Sequence, residues 1–115
     1  SPKEPFLEIK FKDKKLQTLC EKQQVAVKKL GSACAHKLRT RLADLAAASR
    51  VSDLVAGHPH PLSGELQGQF ALNLTGGWRL VFAPANDPVP RRDDASIDWS
   101  AVTIVSIEYI GDYHD

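Results

Sequence analysis

Phe70-Ala71-Leu72-Asn73-Leu74-Thr75-Gly76-Gly77-Trp78-Arg79-Leu80-Val81-Phe82 is the stretch whose reading decides the fold. Phe70, Leu72 and Leu74 alternate with Ala71, Asn73 and Thr75, the period of two of a half-buried strand. Trp78, Leu80 and Phe82 then alternate with Arg79, Val81 and Ala83. Between the two runs, Gly76-Gly77 supplies the positive φ that a tight hairpin turn requires. Just upstream, Gly57-His58-Pro59-His60-Pro61-Leu62-Ser63-Gly64 has the punctuation of a loop. Gly57 to Phe82 thus separates a basic, helical first half from an acidic, sheet-forming second half.

Working back from the hairpin, Val51 to Val55 reads as a short helical turn with Ser52 as its cap. Ala35, Leu38, Leu42, Leu45 and Ala46 form one stripe of a helix over Ala33 to Ser49. Leu16, Leu19, Cys20, Val27 and Leu30 form another over Lys14 to Leu30, with Asp13 as N-cap. Gly31 ends the earlier helix and Ser32 caps the later one, so the two make an antiparallel helical hairpin. Phe6 to Phe11 alternates as an opening strand at or near a sheet edge.

Working forward, Pro84 to Ser100 holds three prolines, two arginines and four aspartates and reads as a long, mobile connection. Val102 to Ile110 is β-branched on both faces, the pattern of a central strand. The chain closes on Gly111-Asp112-Tyr113-His114-Asp115. Helices grouped early and strands grouped late predict an α+β domain. Its two-helix hairpin packs on one face of a twisted, largely antiparallel four-stranded sheet. The opposite face, with Arg79 on it or at its rim, is left for function.

At 115 residues, with 43% hydrophobic and 25% charged, the sequence is that of one ordinary globular domain over residues 1–115. No apolar run approaches the ~18 residues of a membrane span. Ser1-Pro2 reads as a processed end, and no signal-peptide pattern follows it. Cys20 and Cys34 make no disulfide framework, which points to reduced thiols and a cytoplasmic location. The net charge of +1 hides an asymmetry: Lys10 to Arg50 carries +8 and the remainder −7. Such a basic half suits either nucleic acid, an acidic partner or plain solvation.

No Walker or dinucleotide glycine spacing occurs, and no zinc signature. Ser63 and Ser96 lack the glycine elbow of a hydrolase nucleophile. His58-x-His60 with Asp112 and His114 has no metal-site spacing to recommend it, so no metal and no cofactor is expected. What remains suits phosphodiester chemistry. His60 and His114 exchange protons near neutral pH. Asp112 is a base or orients an imidazole, Arg79 holds phosphate, and Tyr113 stacks on an unpaired base. Arg91, Arg92, Lys37 and Arg41 are further cations for RNA phosphates. Each also has a plain reading: a solvated C-terminal tail, loop histidines, Arg79 paired with Glu108, and Trp78 in sheet packing.

His60-Pro61-Leu62-x-Gly64, Gly68-Gln69-Phe70-Ala71-Leu72, Trp78-Arg79-Leu80-Val81-Phe82 and Asp112-Tyr113-His114, in that order, resemble the HigB toxins of the RelE/ParE toxin–antitoxin superfamily. Lys10 to Leu16 and the helical hairpin agree, so the resemblance spans nearly the whole chain. It implies a RelE-like fold and an endonuclease that cuts mRNA in the A site of a translating ribosome. It also implies a small helix-turn-helix antitoxin as partner. The catalytic set it implies is His60, Asp112, Tyr113 and His114, with Arg79 close by. Two departures stand out. Ser63 occupies the loop position where the family carries lysine, so Arg79, Arg91 or Arg92 must replace that cation or activity weakens. The connection Pro84 to Ser100 is longer than in compact members. Two alternatives share the fold: a ParE-like non-enzymatic toxin that binds DNA gyrase, and a catalytically silent member that binds only its antitoxin or nucleic acid.

Overall fold

The computed structural model describes residues 6–112. Strand β1 (Glu8–Phe11) leads into helices α1 (Lys14–Glu21), α2 (Gln23–Leu30) and α3 (Ser32–Ala47). Strands β2 (His60–Pro61), β3 (Phe70–Asn73), β4 (Arg79–Pro84) and β5 (Ile104–Gly111) follow. They form one sheet in the order β1-β5-β4-β3-β2, antiparallel except where β1 runs parallel to β5. The α+β architecture expected from the sequence is therefore the one observed, with β1 at an edge and β5 flanked on both sides.

The sheet has five strands rather than four. The loop reading of 57–64 missed that His60 and Pro61 pair with Ala71 and Phe70. Pro61 has no N–H to donate, so this strand lies at an edge, where a proline is tolerated. The helical layer also differs. Lys14 to Leu30 is not one helix, because Lys22 is extended at φ −112° and ψ 107°. Asp13 caps α1 as expected, its Oδ1 accepting from the Leu16 amide at 2.9 Å. From Glu21 to Gln24 every side chain is polar, so nothing holds the helix to the core at that point. The break turns α2 about its axis: Ala26 is buried at 2% exposure, whereas Val27, assigned to the stripe, is 37% exposed.

Leu38 and Leu45 of α3, seven residues apart, pack against Leu72, Leu80, Phe82, Val105 and Ile107 of the sheet. Burying a leucine or phenylalanine contributes ~1.5–3 kcal/mol, so this layer contact dominates the fold's stability. Gly76 and Gly77 turn at φ 60° and 85°, as the hairpin reading requires.

Residues 84–103 correct the expectation of a mobile connection. Asn86 Oδ1 accepts from the backbone amides of Thr103 and Ile104, both at 3.0 Å, and its Nδ2 donates to Thr103 Oγ1 at 2.8 Å. One side chain thereby extends the β4–β5 ladder past its last backbone pair. Trp99 packs edge-on against Phe70, ring centroids 4.8 Å apart, and against Phe82 at 6.4 Å. A compact excursion, pinned at Asn86 and Trp99, replaces the loose loop. Trp78, by contrast, is half-buried and lies outside both apolar clusters.

Candidate active site on the open sheet face

Strand register sets the candidate residues in rows. His60 pairs with Ala71, Ala71 with Val81, and Val81 with Tyr109. Directly opposed residues share a face of the sheet. Two residues further along, Asn73, Arg79 and Gly111 form the next row on that face. The rows are ~7 Å apart at the usual strand rise. This is the face turned from the helices, and it is not bare: Leu62 and Leu66 cover Ala71 and Val81 in a second small apolar cluster.

His60 Nδ1 lies 2.7 Å from the carbonyl oxygen of His58. A carbonyl only accepts, so Nδ1 is the donor in this contact. His58 itself takes the uncommon φ of 50°, which brings the two imidazole centroids to 4.9 Å. The edge strand thus delivers an imidazole whose Nδ1 is tied to the backbone.

Arg79 opens β4, and its Nη1 donates to the Gly77 carbonyl at 2.7 Å. Asp112, just beyond β5, has Oδ1 only 3.5 Å from where a Cβ on Gly77 would stand. Cation and carboxylate therefore flank one turn residue. Asn73, which pairs with Arg79 on its other side, keeps a buried Oδ1 with no hydrogen bond among the described residues. Tyr113 and His114, expected to complete the set, lie outside the described residues.

Tyr109 escaped the sequence reading. The register slips between Val81 and Phe82, pairing them with Tyr109 and Ile107 and leaving Glu108 as the extra residue of a β-bulge. Ile107 stays in the core, while the bulge sends Tyr109 to the open face, 45% exposed. Its ring lies over Gly111, where a Cβ would collide with the phenol. Plain alternation from Val105 and Ile107 assigns Tyr109 to the core. Only the pairing of an aromatic with a glycine two residues on hints otherwise.

The remaining cations scatter. Arg41 of α3 pairs with Asp44 at 3.0 Å and donates through Nε to the Asn73 carbonyl at 3.4 Å, its side chain 12% exposed. It ties the helical layer to the end of β3. Lys37, half-buried on the same helix, belongs to that layer too. Arg91 and Arg92 sit in the excursion, across a cleft from Pro61 and Leu62. Ser63 is exposed at the start of the turn over 64–66. Burial, with Glu21 adding to it, pushes the Cys20 thiol up to about 12, so Cys20 is no nucleophile at neutral pH.

The arrangement offers an imidazole at His60 on the edge strand and, one row along and two strands across, a cation and a carboxylate at Arg79 and Asp112. No family model matches this chain. No curated protein sequence matches it either. Among solved structures, a chain of the YoeB-YefM complex from Staphylococcus aureus is similar. That likeness covers 95% of this chain and 98% of the other, with 16% identity and a TM-score of 0.54. It establishes the RelE-like α+β fold over nearly the whole length.

Proposed function

We propose that this chain is the toxin of a type II toxin–antitoxin pair of the HigB kind, with a helix-turn-helix antitoxin as partner, and that it cleaves mRNA on the ribosome. The observation that carries the reading is the placement of His60: its Nδ1 lies 2.7 Å from the His58 carbonyl oxygen, and its strand pairing puts it on the face that also carries Arg79. The fold shared with the YoeB-YefM complex supports a toxin with an antitoxin partner, YoeB being a RelE-superfamily toxin. The ordered motifs around His60, Arg79 and Asp112 favour HigB within that superfamily.

In this reading the RNA supplies its own nucleophile. His60 Nε2 takes the proton of a 2′-hydroxyl, and that oxygen attacks the adjacent phosphorus. The bond from phosphorus to O5′ breaks, and the leaving oxygen takes a proton from His114. A 2′,3′-cyclic phosphate and a 5′-hydroxyl result. Arg79 neutralises charge on the non-bridging oxygens as it develops. Asp112 orients the protonated imidazole or serves as its alternate base, and Tyr113 stacks on the neighbouring base.

Ribosomes programmed with a defined mRNA test this. The protein cuts the message, a 2′-deoxy nucleotide at the cut blocks it, and His60→Ala slows it ~10²–10⁴-fold without unfolding the chain. Undiminished cutting by the alanine variant removes His60 from the chemistry. An SOS response without mRNA loss in expressing cells overturns the reading in favour of gyrase binding.

A further inference from the structure

The rows of the open face do not stop at His60. One step beyond the His60–Ala71 pair, the Leu62 amide donates to the Gln69 carbonyl at 2.8 Å. There the sheet edge meets the excursion in a cleft of about 570 Å³. That is the size range of sites that hold small organic ligands. Leu62, Ile97 and Trp99 give it apolar lining, and Gln67, Gln69, Arg91 and Arg92 line it as well. Among the described residues no carboxylate does.

The absence of acid from the lining is notable because the excursion carries four aspartates, Asp87, Asp93, Asp94 and Asp98, against two arginines. Two of them are turned inward on serines. Asp94 Oδ1 accepts from the Ser96 amide at 3.0 Å and from its hydroxyl, and Asp98 Oδ1 accepts from Ser100 in the same way at 3.2 Å and 2.6 Å. Hydrogen bonds from these serines hold both carboxyls below the usual carboxylate range, with Arg92 adding to the effect. Arg91 is braced by a bond from Nη1 to the Ala95 carbonyl at 2.9 Å, which leaves the rest of its fork to a ligand. The side-chain amides of Gln67 and Gln69 and the guanidinium of Arg92 make no hydrogen bond among the described residues. The cleft thus brings together two guanidinium groups, two carboxamides and apolar side chains.

We infer that this cleft seats the RNA nucleotide flanking the cut bond, its phosphate on Arg91 and Arg92 and its base edge on Gln67 and Gln69. The inference rests on the reading of the chain as an RNA-cleaving toxin, and it extends that reading along the strand. The cleft begins at Leu62, two residues or ~7 Å from His60 along the same edge, while Arg79 lies on β4, two strands across and one row to the other side. An extended RNA strand whose reacting phosphate lies at His60 therefore lays its next nucleotide in the cleft. A carboxamide offers a donor and an acceptor together, which matches the edge of an unpaired base. The same two arginines line the cleft together with Leu62, the residue before Ser63.

The probe is a fluorescein-labelled RNA hexanucleotide with 2′-O-methyl groups throughout, which cannot be cut by its own hydroxyls. The unmodified protein binds it, and R91Q/R92Q binds it at least tenfold more weakly. Loss of two phosphate contacts also flattens the plot of log affinity against log salt by ~1.4. R92Q alone, which leaves the Arg91 brace intact, gives an intermediate loss. Equal affinity and equal salt slope for the unmodified and double-variant proteins overturn the inference, whether or not ribosome-bound mRNA is cut. No binding of the hexanucleotide, with arginine-dependent binding of an oligoglutamate peptide instead, overturns it in favour of an acidic polypeptide. Arginine-dependent binding of the hexanucleotide by a protein that cuts no mRNA upholds the cleft and removes only the cleavage reading.

Discussion

Asp112 Oδ1 lies 3.5 Å from the point at which a Cβ on Gly77 would stand. Gly77 has φ 85°, and its carbonyl accepts from Arg79 at 2.7 Å. One glycine therefore sets both the hairpin turn and the distance between cation and carboxylate. Gly77→Ala is expected to lose ~1–2 kcal/mol of stability from the left-handed backbone alone. Urea denaturation measures that loss. Cleavage should fall no further than stability accounts for, because the new methyl stands in ordinary contact with Asp112.

Arg79→Lys keeps the charge but loses the planar fork that engages two oxygens at once. Its turnover on programmed ribosomes is expected to fall ~10²-fold, as for the removal of one transition-state donor. Arg79→Gln falls at least as far. Equal turnover in the lysine variant shows that charge alone suffices there.

Asn86→Ala strips three hydrogen bonds and leaves the amides of Thr103 and Ile104 without their acceptor. An unsatisfied part-buried donor costs ~1–3 kcal/mol, so the variant is expected to lose about that much or more. Amide exchange at Thr103 and Ile104 should accelerate in parallel. Asn86→Asp, which retains the acceptor, loses less.

Cys20 supplies a pH dependence with a definite sign. Its folded pKa is raised from 9.0 to about 12, chiefly by burial. The native state therefore holds the thiol proton more tightly than the unfolded chain does. The stability tied to that proton is complete below pH 9 and declines as pH rises toward about 12. Denaturant midpoints taken between those limits should fall with pH, and Cys20→Ser should flatten the fall. At pH 8 the native thiol reacts slowly with a disulfide reagent.

The stretch from Phe70 to Phe82 was legible because strand alternation and a two-glycine turn are local properties. The registers Phe70–Phe82 and Asn73–Arg79 follow the two apolar stripes, with Phe70 and Leu72 opposite Phe82 and Leu80. Leu38 and Leu45 announced the core face of α3 by their spacing. Val27 did not behave as its spacing implied, since a helical stripe is continuous only while the helix is. Four polar residues let α2 rotate, and Ala26 took the buried position instead.

The candidate site divides along the same line. His60 and Arg79 could be named from the sequence, since a His-Pro loop and an arginine on an outward strand position are visible in the chain. Arg41 could not be sorted from the other cations, because its partner is the Asn73 carbonyl, 32 residues away. The Asn86 and Trp99 anchors, which turn an apparently loose connection into a cleft wall, likewise act at long range.

By itself the sequence determined the element types, the hairpin and which groups carry chemistry, since these depend on periodicity, turn residues and side-chain type. The tertiary structure alone decided that His60 joins the sheet as an edge strand. It also decided that a bulge at Glu108 presents Tyr109 to the open face, and that Asp112 meets Arg79 across Gly77. Those are consequences of strand order and register, and pairing between distant segments leaves no mark on either segment alone.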